Sequence, residues 1–478
     1  NNVALMVMGQ QKEGNVLPTE EELVAAYSKA LEQEVQPYEE KLSGIKLLPE
    51  MPVKKGKVVS ESDGIFGSKV WMLDNGIKIV WKQTDFKKDQ VIMEAYSKGG
   101  ESLEMGLSNV MRNSLGNFYD VGGIGQFKTT DLPKVLAGKN VSMSTSIGGL
   151  SESVSGSATP KDLRTMFELI YLGFTQPRYD EEAYQAWYNR WYNQMQMAEG
   201  NPNKILSDSL TLTIYPGQPS QVPLQLSDLE MLDYKTGFEL AKKRFANPAD
   251  FTFYFVGNID VDSLRTFSEL YLGSLTTTAE REDFGQFILP TRGTRENRFD
   301  LPMQQPKTTV YNFFLLYDQP FSVKQTLMTN ILGQISAIVF TETIREKEGG
   351  VYSPHAQASS DFLTGMSEMV YLFETGEEKL EHIEEVAYSE FCRMANEGIR
   401  EDAFQKVRDY LLKTHEQQLK ENGYWLGQIQ TRDIYGINMV DGWVEALNSI
   451  TLDDLQTLMK KFVNESDRIQ FVAKGVTK

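Results

Sequence analysis

Alternation of apolar and polar residues marks strands at three well-separated places in the chain. NNVALMVMGQ stops at Gly9, ADFTFYFVGN runs to Asn258 and SDRIQFVAKG closes on Gly475, and each reads as the last strand of a unit. Within SKVWMLDNGIKIVWK, Asn75-Gly76 separates two alternating runs, the pair favoured by a tight type I′ hairpin. VIMEAYS reads as a further strand. It is followed by GLSNVMRNS, where Leu107, Val110 and Met111 at i, i+3, i+4 spacing predict a half-buried helix. VSMSTSIGGLSESVSGSA alternates with small polar residues, as a strand pair with one wet face does. In ATPKDLRTMFELIYLGF, Thr159 is a cap, Pro160 takes the first helical position and Asp162 the reciprocal capping position. Strands, helix, strands, helices and a closing strand in this order predict an α+β fold of mainly antiparallel sheets with helices packed on one face.

The chain also repeats itself. EEAYQ at Glu181–Gln185 returns as EDAFQ at Glu401–Gln405, and TIYP at Thr213–Pro216 as DIYG at Asp433–Gly436, both at an offset of 220 residues. KKRFANPAD and MKKFVNESD set Phe245 against Phe462 and Asp250 against Asp467, at an offset of 217. Three matches in one order imply two homologous repeats with the tail of a third in front. The expected division is 1–64 for the end of a preceding repeat and a linker helix, 65–276 for a first repeat, 277–306 for a linker rich in charge and turn formers, and 307–478 for a second repeat. The linker helix is read from PTEEELVAAYSKALEQEV, with Thr19 and Glu22 as a capping box and Leu23, Tyr27 and Leu31 on one face.

Composition narrows the function. Against 48 basic residues stand 66 acidic ones, a net charge of -18 that repels nucleic-acid phosphates and anionic membrane surfaces. No run of membrane-spanning length is evident, so no membrane insertion is expected. A single cysteine, Cys392, excludes an internal disulfide and a cysteine zinc cluster, and reads as a small buried residue. The chain starts at Asn1 without methionine, so the lack of a visible signal peptide carries no weight.

Chemistry is sparse. His415 opens HEQQL and His382 opens HIEEV, and each lacks the second imidazole of a zinc helix; the third histidine is His355. There is no nucleophile elbow, and GGIGQF lacks the features of a phosphate loop. The stripe Tyr184, Trp187, Tyr188, Trp191 and Tyr192 reads as core. Asn109, Arg112 and Asn113 sit beside the apolar face of their helix, where several kinds of enzyme place metal ligands, yet asparagine and arginine do not hold zinc. In FTETIREKEGGVYSPH, Ile335, Ile338 and Val339 mark the preceding helix, Gly349-Gly350 a left-handed stop, and Val351 with Tyr352 the start of a strand. Arg345 and Tyr352 are then either a donor pair suited to an oxyanion, or a helix-end cation and a core-edge tyrosine.

The duplication, LDNGIKIVWKQTDFKKD, SKGGES and IREKEGGVYS together resemble the pitrilysin/insulinase-type zinc peptidases, peptidase family M16, and in particular the C-terminal half of its large bacterial members. The resemblance spans Ser68 to Lys478. It implies four homologous α+β repeats in two bowl-like halves that close around a peptide. The inverted zinc motif H-x-x-E-H of the family overlays Asn109 and Asn113 as ligand positions and Arg112 as the general-base position, so this chain is expected to bind no metal and to be inactive alone. Zinc is implied in an N-terminal catalytic half of the same polypeptide, with a peptide as substrate. Arg345 and Tyr352 are implied as the groups that approach the scissile carbonyl in trans. A periplasmic or cell-envelope location is implied as well. The alternative is a non-catalytic peptide-binding or assembly subunit of the same fold.

Overall fold

A computed structural model describes residues 3–9, 16–33, 42, 44–52, 54–349, 351 and 353–477. Two units are compact in themselves, Asn1–Ile45 and Lys46–Lys478. In the first, the helix Glu20–Glu32 carries the expected capping box: Glu22 N donates to Thr19 Oγ1 at 3.2 Å and Thr19 N to Glu22 Oε2 at 2.9 Å. No residue of this helix is buried. The strand expected before Gly9 is not formed in residues 3–9, whose Val3, Leu5, Met6, Val7 and Met8 are exposed. An extended segment needs a partner for its backbone groups before it counts as a strand.

The second unit holds two mixed sheets. Strands β1 (Val58–Asp63), β2 (Lys69–Leu73), β3 (Lys78–Gln83), β4 (Val91–Lys98), β5 (Val141–Ile147), β6 (Ser151–Ala158) and β7 (Thr252–Gly257) form the first, in the order β1-β2-β3-β7-β4-β6-β5. Strands β8 (Arg295–Met303), β9 (Thr308–Leu316), β10 (His355–Asp361), β11 (Met366–Thr375) and β12 (Asp467–Thr477) form the second, in the order β10-β11-β9-β12-β8. The two share one connectivity. The last strand of each, β7 or β12, lies between two earlier strands, parallel to β3 or β8 and antiparallel to the following β4 or β9. The stretch expected as linker therefore contains β8, the counterpart of β3, and is irregular only as far as Thr294. Its side chains alternate between half-buried and exposed from Arg295 to Asp300, as in a strand with one wet side. The Asn75-Gly76 turn lies between β2 and β3 as read.

Each sheet has a core on one face. The helix Leu163–Thr175 sets Leu163, Met166, Phe167 and Ile170 into the first core, with Phe167 stacked on Phe255 at 5.3 Å. The helices Val323–Phe340, Leu380–Glu397 and Leu452–Glu465 fill the second around Phe314, Tyr371 and Phe391. The segment Val323–Glu348 is long and apolar enough by length and composition to cross a membrane, a span the sequence reading did not mark. Ile331, Leu332, Ile335 and Val339 sit in the second core, which accounts for that apolarity.

The opposite faces are covered by exchange between the repeats. The helix Asn422–Tyr435, from the second repeat, lies on the first sheet, where Ile429, Trp425 and Leu426 meet Val80, Tyr254 and Val256. Conversely, Leu206 and Leu210 of the helix Pro202–Ile214 meet Leu301 and Phe471 of the second sheet. These are the helices whose ends carry the TIYP and DIYG matches. Polar contacts hold both crossings: Asp433 accepts from Tyr254 OH at 2.7 Å and from Lys78 Nζ at 2.5 Å, and Arg295 Nε donates to Thr213 O at 2.7 Å.

Candidate functional site: the Asn109–Arg112 helix and its cleft

The helix predicted at GLSNVMRNS is present but interrupted. Asn109–Arg112 is helical and Leu115–Asp120 resumes, because Ser114 Oγ bonds the carbonyl of Val110 at 2.6 Å and offers the backbone an alternative to a continuous ladder. The packing face is kept, with Val110, Met111, Leu115 and Phe118 buried and Leu107 half-buried. Beside it, Arg112 is 4 % exposed. Its Nη2 donates to Asn109 Oδ1 and to the carbonyl of Ser220, both at 3.0 Å. Asn109 Nδ2 in turn donates to the carbonyls of Pro219 at 2.8 Å and Val222 at 3.2 Å. Asn109 and Arg112, two of the three residues that the resemblance aligns with the metal motif, thus fasten the 219–222 turn to the helix.

Glu101 faces this arginine. β4 hands over to it through the turn at Gly100, whose φ of 63° and near-contact with Gly148 O, 2.2 Å from any added Cβ, admit only glycine. Glu101 Oε2 lies 3.9 Å from Arg112 Nε, beyond hydrogen-bond reach. Asn113, with its amide turned to suit its neighbours, donates to Glu101 Oε2 at 3.3 Å and to Asn109 O at 3.2 Å. Burial pushes the Glu101 carboxyl up, and the nearby guanidinium only partly opposes the shift. The donor set does not fit zinc. Guanidinium nitrogens have no lone pair to give, amide nitrogens have theirs delocalised, and a cation already occupies the position.

Arg112 and Glu101 stand at a cleft of about 650 Å³ that both repeats line. Its walls include Val222, Leu224 and Ile288, with Met366 and Asp361 contributed from the second sheet. A second cleft, about 750 Å³, adjoins it across Arg112 and Leu224. The sequence reading missed Glu101, although SKGGES was singled out, and it missed the walls. Glu101 is brought to Arg112 by a glycine turn, and the walls come from segments more than a hundred residues away.

Arg345 is exposed on the π-helical continuation Thr341–Glu348 of the long core helix. Around it, Ile344 is buried, Glu342 pairs with Arg400, and Glu348 Oε2 meets His382 Nε2 at 2.6 Å. Gly349 takes the expected positive φ of 63°. Tyr352 lies outside the described residues. The strand expected from Val351 begins instead at His355, opposite Leu372, because Pro354 has no N–H to extend the ladder backwards. His355 lies at that strand's start and His415 is buried, stacked on Trp443 at 3.9 Å, with burial lowering its pKa. Among the described residues no group of three or more His, Cys, Asp or Glu comes close enough to hold a metal ion. Cys392 is half-buried rather than buried. The aromatic stripe is only partly core: Tyr184 is buried, while Trp187, Tyr188 and Trp191 are half-buried and Tyr192 is exposed.

The two sheets share one connectivity, with β7 beside β3 and β12 beside β8, and the side chains of Asn109, Arg112 and Asn113 form no zinc-ligand set. Residues 241–411 match the family described as peptidase M16 inactive domain. Among curated relatives, the "Zinc protease PQQL-like" of Arabidopsis thaliana is 24 % identical over 387 residues, covering 75 % of this chain and 36 % of the relative. The "Probable zinc protease PqqL" of Haemophilus influenzae is 22 % identical over 395 residues, covering 80 % and 41 %. The crystal structure of the periplasmic protease PqqL from Escherichia coli superimposes with a TM-score of 0.79 at 16 % identity, covering 96 % of this chain and 51 % of that one. The chain spans less than half the length of these curated relatives.

Proposed function

We propose that this chain is the half of an M16 metalloendopeptidase that carries no metal chemistry: it walls the substrate chamber and grips the scissile peptide while an N-terminal half of the same polypeptide supplies the zinc. The observation that carries this reading is the helix Asn109–Arg112, which keeps its packing with a buried guanidinium at the position that the family resemblance assigns to a catalytic glutamate. The likeness to proteases roughly twice its length supports it. In this reading the metal of the other half activates water when bound. Arg345 and Tyr352 donate hydrogen bonds to the carbonyl oxygen as negative charge builds on it, and the chamber wall keeps the peptide extended. A periplasmic or cell-envelope location belongs to the same proposal.

The test compares this chain with the complete protein. The isolated chain is expected to bind no stoichiometric zinc by metal analysis and to cleave no quenched fluorescent peptide, whereas the complete protein does both. In the complete protein, Arg345→Ala and Tyr352→Phe are each expected to lower kcat by about 10²-fold with zinc content unchanged. Peptide cleavage by the isolated chain, or full turnover in both variants, overturns the proposal.

A further inference from the structure

Glu101 is a carboxylate without a good partner. Among the described residues its side chain meets Arg112 at 3.9 Å and the Asn113 amide at 3.3 Å, and it accepts nothing shorter. It is partly desolvated, with 24 % of its side chain exposed, and that exposed part faces the 650 Å³ cleft. A desolvated carboxylate that accepts only a long amide hydrogen bond gains most from a strong donor arriving in the cleft. Arg112, the cation lining the cleft, is committed to Asn109 and Ser220. Asp361 adds a second carboxylate at the rim, and the chain as a whole carries a net charge of -18. Between these polar groups the walls are apolar, through Val222, Leu224, Ile288 and Met366. The volume falls in the range that takes a ligand of several residues rather than a single ion.

We propose that this cleft is a binding subsite for an extended peptide segment that places a lysine or arginine head on Glu101 and lays that side chain's stem and its apolar neighbours along Leu224 and Ile288. The proposal deepens the reading above, since it rests on the chain handling peptides, but it involves neither Arg345 nor Tyr352 nor any cleavage. The overall negative field steers a cationic peptide toward the site, and Glu101 holds it there.

The experiment measures fluorescence anisotropy of this chain with three short labelled peptides that differ at one central position: lysine, norleucine or glutamate between leucines. The lysine peptide is expected to bind roughly 10- to 100-fold more tightly than the norleucine peptide, with the glutamate peptide weakest. Glu101→Gln is expected to bring the lysine-to-norleucine ratio close to one while leaving the norleucine affinity unchanged. Leu224→Lys, which sets a fixed cation in the wall, is expected to abolish the lysine preference independently, and it keeps the proposal testable if Glu101→Gln folds poorly. Equal binding of the lysine and norleucine peptides by the unaltered chain, or a lysine preference that survives either variant, overturns it. Because turnover is not measured, a failure here leaves the proposed role in hydrolysis standing, and a failure of that role leaves this result intact.

Discussion

Replacing Arg112 with methionine tests whether this side chain fastens the 219–222 turn to the helix Asn109–Arg112. Methionine keeps most of the side-chain volume but removes the donors to Asn109 Oδ1 and Ser220 O, both at 3.0 Å, and the cation 3.9 Å from Glu101. Each lost charge-assisted bond contributes about 1.5–3 kcal/mol, and breaking a buried pair from one side costs roughly 3–5 kcal/mol. The low end applies, about 3 kcal/mol, because Glu101 keeps 24 % of its side chain in water. For a repeat of this size that corresponds to a fall in Tm of roughly 10 °C. The cost should also depend on pH. Glu101 already has its folded pKa raised above the ordinary 4.5, so its ionisation works against folding, and stability falls as pH rises from that value through the folded pKa. Without Arg112 the folded pKa rises further, and the gap between the two proteins widens from pH 4 toward pH 7. Differential scanning calorimetry at several pH values measures both effects. A Tm shift below about 2 °C, or a gap that does not change with pH, would refute the claim that this arginine holds the turn and balances the carboxylate.

Three further perturbations probe the frame around the cleft. Glu152 is fully buried and bonded to Arg244, which Glu282 also claims; burial raises its carboxyl to about 7. Folding stability should therefore decline between pH 4.5 and 7, and Glu152→Gln should flatten that part of a urea-melt pH profile. Asp433→Ala leaves the hydroxyl of Tyr254 buried without its 2.7 Å acceptor and is expected to cost about 2–3 kcal/mol in chemical denaturation; Lys87→Ala, which breaks only an exposed pair with Glu421, should cost under about 1 kcal/mol. Gly257→Ala, at a φ of 146° with a Cβ 2.2 Å from Gln90 O, should destabilise the first sheet by at least about 1–3 kcal/mol in the same assay.

Local pattern determined a good deal of this protein. Alternation in KIVWK and FTFYFVG, the Asn75-Gly76 turn and the capping box at Thr19 each depend on neighbours a few residues away, and each was legible. The repeated TIYP and DIYG likewise announced the duplication, and Asn109, Arg112 and Asn113 were legible as side chains that do not ligate zinc. Interruptions of pattern were harder to weigh: the hydroxyl of Ser114 breaks a helix whose apolar spacing runs on, and Pro354 holds back a strand whose composition starts earlier. Sheet membership of β8 could not be read from a stretch rich in charge, because a strand's identity lies in the ladder it joins.

Tertiary structure alone decided where the repeated helices go, each onto the other repeat's sheet, and what Arg112 holds. A helix's apolar stripe states that something must cover it but not which surface does so. In the same way, Arg112 could be read as a cation but not as a clamp, because its partners Glu101 and Ser220 reach it through a glycine turn and a loop more than a hundred residues away. Hydrogen bonds and ion pairs act over a few ångströms of space, and only the folded chain brings those residues within that distance.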